Sequence, residues 1–151
     1  TVGVLTAIAA AVNMIGNIGA GRLLHRGARP QRLLASGFAV MGLAAVAAFA
    51  GSADAGLRPE LRYAAVLALS ACGGMIPATL FTLAVRLAPA EGAIATTVGW
   101  VQQWSALGQF AGPPLVAWVA SALQGWHGTW IVTASSAVIG LVLTSLIARR
   151  S

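Results

Sequence analysis

Five apolar runs, at residues 2–21, 33–51, 63–87, 92–123 and 129–148, alternate with short stretches that hold almost every charged side chain. A helix needs about 20 mostly apolar residues to cross a bilayer, and each run supplies roughly that number. The pattern predicts an all-α membrane protein with five transmembrane helices. The separators, residues 22–32, 52–62, 88–91 and 124–128 and the 149–150 tail, are punctuated by Pro59 and Pro89, where helices stop or start. Two runs invite an interruption. The fourth would be about 46 Å long as a straight helix and contains Pro113 and Pro114, so it is expected to tilt, bend or project. The third carries Gly73, Gly74 and Pro77 close together, and broken helices near the midplane are where transporters commonly build sites.

Charge then orients the helices. With strict alternation, Arg22, Arg26, Arg29, Arg32, Arg86, Arg149 and Arg150 fall on one side and Arg58 and Arg62 on the other. Short Arg-rich loops stay cytoplasmic during insertion, which predicts a multi-pass protein of the inner (plasma) membrane with a cytoplasmic C-terminus and Thr1 outside. All nine basic residues are Arg, set against Asp54, Glu60 and Glu91, for a net charge of +6. Because they lie at helix ends and form no single patch, nucleic acid is not an expected partner. Composition agrees, with 58% hydrophobic residues, 8% charged and a mean hydropathy of +0.85. Trp126 and Trp130 flank the last outer loop as interfacial anchors. No charged leader or cleavage site is visible, and the chain reads as the C-terminal part of something longer.

Catalytic chemistry lacks its parts. Cys72 is the single cysteine and lies in an apolar run, and His25 and His127 sit in loops on opposite sides. Neither a nucleophilic triad nor a metal set can be assembled, so no enzyme, cofactor or metal is expected.

Polar side chains inside the membrane are costly and therefore informative. Asn13 lies about 13 Å from Arg22 along its helix, Pro77 about 13 Å from Arg86, and Gln102 and Gln103 about 15 to 16 Å from Gly92, near half of a roughly 30 Å core. A shared midplane site explains that coincidence. Asn13, Asn17, Thr79, Gln102 and Gln103 are the candidate substrate-binding residues, Thr79 standing beside Pro77. Thr6, Asn13 and Asn17 share one stripe of the first helix. On the fourth, Gln102, Ser105 and Gln109 share one face and Trp100, Gln103 and Trp104 the opposite one, and the sequence does not choose between them. The alternative is that these amides glue helices together. Gly99, Gly108 and Gly112, the last followed by Pro113, form a small-residue face suited to close helix packing.

The stretch Gly21-Arg22-Leu23-Leu24-His25-Arg26-Gly27-Ala28-Arg29 resembles the G-x-L-x-D-R-x-G-R loop of major facilitator superfamily transporters. Gly21, Leu23, Arg26 and Arg29 fall on the pattern; His25 replaces the acid, and the second Gly has moved to Gly27. The spacing Gly99, Gly108, Gly112-Pro113 is similar to the glycine pattern of that family's fifth helix, here in the pseudo-symmetric eleventh. The Gly73-to-Pro77 stretch and residues 107–114 look most like the cyanate-permease branch. The resemblance implies helices eight to twelve of a twelve-helix fold, with the N-terminal half and one further helix missing, and a gating loop containing Gly21, Arg22, Arg26 and Arg29. It implies secondary active transport of a small polar or anionic organic solute by alternating access. The expected partners are that solute, the bilayer, the missing half, and a coupling proton whose carboxylate this chain does not supply. Two alternatives stand beside it: a non-transporting assembly or signalling subunit, and the five-helix half of a drug/metabolite-type exporter.

Overall fold

The computed structural model describes residues 2–51 and 57–149. All regular structure among them is helical: α1 (Val2–His25), α2 (Pro30–Phe49), α3 (Pro59–Leu87), α4 (Ile94–Ala122) and α5 (Trp130–Ala148), with short 3-10 turns at Glu91–Ala93 and Trp126–Gly128. Four stretches, Val2–His25, Pro30–Phe49, Pro59–Leu87 and Trp126–Ala148, are long and apolar enough to cross a membrane. The fifth expected span is not among them. At 29 residues α4 has the length, but Thr96, Thr97, Gln102, Gln103, Ser105 and Gln109 dilute its apolar character.

Helix ends differ from the apolar boundaries, and capping explains why. Helix α1 continues four residues past the first apolar run, so Gly21, Arg22 and His25 are helical. It stops at Gly27, whose φ of +88° suits a residue without a Cβ. There the Gly27 N–H donates to the Leu24 carbonyl (3.1 Å) and the Ala28 N–H to the Leu23 carbonyl (2.9 Å), the paired bonds of a Schellman motif. Helices α2 and α3 each start three or more residues before their apolar runs. Pro30 and Pro59 occupy the first turn behind extended Arg29 and Arg58, where the missing N–H costs nothing. Arg32 and Arg62 are therefore helical as well. The expected 22–32 loop contracts to the four residues between α1 and α2.

Neither expected interruption breaks a helix. Helix α3 runs unbroken through Gly73, Gly74 and Pro77, and α4 through Pro113 and Pro114. Pro77 removes one bond, to the Gly73 carbonyl, and packing on α3 from α1 and α2 holds the turns on either side.

Helix α3 is the hub: α1 and α2 pack along it, α4 touches it more lightly, and α5 packs on α2. Contacts between α1 and α3 advance together along both chains, from Leu5 with Tyr63 to Asn13 with Gly74, so these helices run parallel. Phe38 meets Gly140 and Gly42 meets Ala137, so α2 and α5 run antiparallel. The core at the centre joins Leu34, Cys72, Ile76 and Leu83, with Phe38, Met41, Met75, Leu80 and Ile147 against it. Outward-facing positions are apolar too, among them Ile8, Ile15, Val138, Ile139, Val142 and Leu143, all exposed. Such a surface is at home in lipid, where association rests on packing and hydrogen bonds. Hydroxyls on α5 fit that setting: Ser136, Thr144 and Ser145 donate to the carbonyls of Val132, Gly140 and Val142 in their own helix.

Candidate functional site

Three side-chain hydrogen bonds cross the α1–α3 seam, two donated by α3 and one by α1. The Tyr63 hydroxyl donates to the Leu5 carbonyl (2.8 Å), the Ser70 hydroxyl to the Ala9 carbonyl (2.7 Å), and the Asn13 amide Nδ2 to the Ser70 carbonyl (3.0 Å). Glycines make this approach possible. A Cβ on Gly16 would overlap the Ala71 carbonyl, and one on Gly74 would overlap the Asn13 carbonyl. At Gly99, Gly108 and Gly112, where small-residue packing is expected, no described neighbour lies within 4 Å of an added Cβ. The signal for the true seam was present in Gly16 and Gly74, each facing a partner run with a polar residue close by.

The predicted binding residues occupy different surroundings. Asn13 is engaged in the seam, and Asn17, whose backbone nitrogen also faces Gly74, is exposed. Thr79 is 0% exposed, and its hydroxyl donates to the Met75 carbonyl of its own helix (2.8 Å). Gln102 and Gln103 are exposed on α4. Gln103 borders a hollow of about 290 Å³ with Trp100, Trp104 and Leu107, as expected for residues sharing a face.

A larger groove of about 480 Å³ lies between α3 and α4. Ile76, Pro77, Leu80 and Phe81 form the α3 wall, and Thr97, Trp100, Val101, Trp104 and Ser105 the α4 wall. It takes members of both α4 faces that the sequence left unresolved. Gln109 Nε2 donates to the Ser105 hydroxyl oxygen (3.2 Å), leaving the Ser105 proton available to a ligand. Pro77 thus borders the groove, although its helix is not broken. Trp100, Trp104 and Ser105, which the depth argument on amides did not select, line it as well.

At one end of the bundle, α1 ends, α2 begins and α3 and α5 end together. A cleft of about 680 Å³ opens there, with Arg29, Arg32 and Arg86 in its wall. Of the expected gating residues, Gly21 and Arg22 lie on the last turns of α1, and Arg26 and Arg29 in the link to α2. Among the described residues, no group of three His, Cys, Asp or Glu side chains could hold a metal. No family model, curated protein or solved structure among those compared matches the chain.

Proposed function

We propose that the chain is part of a secondary transporter of the major facilitator type it resembles, moving a small polar or anionic organic solute by alternating access together with an N-terminal half. The α3–α4 groove carries this reading. Helix α4 stands off the bundle with no buried residue, and two indole rings and two hydroxyl side chains, Thr97 and Ser105, line the gap it leaves against Pro77. The ring faces suit an organic frame, and the Ser105 hydroxyl offers it a hydrogen bond. Five helices of alternating direction and an Arg-rich end are consistent with the same architecture.

The test is access. Ser105→Cys, in a Cys72→Ala background of the intact protein in sealed vesicles, is treated with membrane-impermeant maleimide from each face in turn. Alternating access expects labelling from both faces. Labelling from one face only, or from neither, rejects it. The second reading, an assembly or signalling subunit, is favoured by the use of Asn13, Ser70 and Thr79 in packing, and it expects an α4 position that never changes face.

A further inference from the structure

We propose that the cleft at the Arg-rich end binds the phosphate headgroup of an anionic phospholipid. Arg29 in the α1–α2 link, Arg32 on the first turn of α2 and Arg86 on the last turn of α3 line one opening, with Leu83, Leu87 and Ala148 beside them. A topological signal requires only that arginines be on the correct side. It does not require three from separate elements to surround one hollow. Their charges are uncompensated by acids there: the described acids are Glu60, at the far end of α3, and Glu91, in the turn beyond α3, and neither lines the cleft. Arg29 and Arg32 also wall an adjoining cleft of about 480 Å³, so the positive surface continues outward from α2.

Guanidinium groups match phosphate oxygens in paired hydrogen bonds. The apolar part of the lining selects the source of the phosphate. Leu83, Leu87 and Ala148 offer nothing to a free anion but fit the glycerol and first methylenes of a lipid. The cleft also lies where the apolar helices end, which is headgroup depth. Basic pockets between membrane helices on the cytoplasmic side hold such headgroups by this chemistry. This site requires only that the helices lie in a bilayer, and it stands independently of transport.

The intact protein, purified in mild detergent with equal phosphatidylglycerol and phosphatidylcholine, is analysed by native mass spectrometry for retained lipid. Phosphatidylglycerol should be retained with a preference of about tenfold, and Arg86→Gln or Arg32→Gln should each reduce that preference about fivefold. Arg58→Gln, at the other end of α3, should leave it unchanged. A preference near one, or an equal loss in Arg58→Gln, overturns the site. Displacement of phosphatidylglycerol by millimolar inorganic phosphate assigns the cleft to a free anion and overturns the lipid. If Arg86→Gln loses its helical circular dichroism, Arg32→Gln carries the test; a folded Arg32→Gln that keeps the full preference also overturns the proposal.

Discussion

Two glycines and one amide hold α1 against α3, and they do so by different physics. Asn13 contributes one hydrogen bond across the seam, and such bonds between membrane helices are worth about 0.6 kcal/mol on average. Gly16 and Gly74 set the distance between backbones, so an added methyl must push the helices apart and loosen every contact along them. Overpacking of that kind costs about 1 to 3 kcal/mol. Thermal unfolding in detergent should therefore rank Gly16→Ala and Gly74→Ala as more damaging than Asn13→Ala; the reverse order would mean that the amide, and not the close approach, holds the seam. The loop motif separates in the same way. Gly21 is helical with open space around it, so Gly21→Ala should gain up to about 1 kcal/mol. Gly27 ends α1 at positive φ, so Gly27→Ala should lose about 1 to 2 kcal/mol. Both roles were only half legible in the sequence. Gly27 was visible as a displaced motif glycine, whereas its function as a helix stop depends on bonds to Leu23 and Leu24 that exist only once α1 has run past its apolar boundary.

At the scale of elements, hydrophobic runs identified all five helices, because a long apolar segment has few ways to satisfy its backbone in lipid except as a helix. Their ends were less legible, since Pro30 and Pro59 start helices in polar surroundings where hydropathy gives no cue. Helix α4 was the hardest to place. Its Gly99, Gly108 and Gly112 carry the sequence signature of tight packing, yet which face of a helix finds a partner depends on where its neighbours stand. Here α3 meets the Trp100, Trp104 and Ser105 side, and Gly108 and Gly112 meet nothing within 4 Å. A glycine in an open helix interior costs about 0.5 to 1 kcal/mol relative to alanine. Gly108→Ala should accordingly raise the chain's own melting temperature, opposite in sign to Gly16→Ala. A loss of stability in that variant would show that this face is packed in the chain itself.

Across the whole molecule, the direction of each helix and the distribution of arginine agree. Parallel α1 and α3, with α2 antiparallel to α5, bring Arg22, Arg26, Arg29, Arg32, Arg86 and Arg149 to one end of the bundle and leave Arg58 and Arg62 at the other. Alternation along the sequence expected that segregation, and the packing of the helices reproduces it. If translocation obeys the bias of Lys and Arg in short loops, the α1–α2 link is cytoplasmic and the α2–α3 connection faces out. Asp54, in that connection, lies outside the described residues, but its side of the membrane is open to measurement. With Cys72 replaced by Ala, an impermeant thiol reagent should reach Asp54→Cys from outside the cell and Ala28→Cys only after the cytoplasmic face is opened. The energetic stake is high, because inverting the bundle would carry seven arginines across the hydrocarbon in place of two, at about 2.5 to 3.5 kcal/mol for each charge at the membrane centre. Labelling of Asp54→Cys from the cytoplasm alone would reverse the orientation, move the Arg-lined cleft to the outer surface, and remove the α1–α2 link from any cytoplasmic gating role.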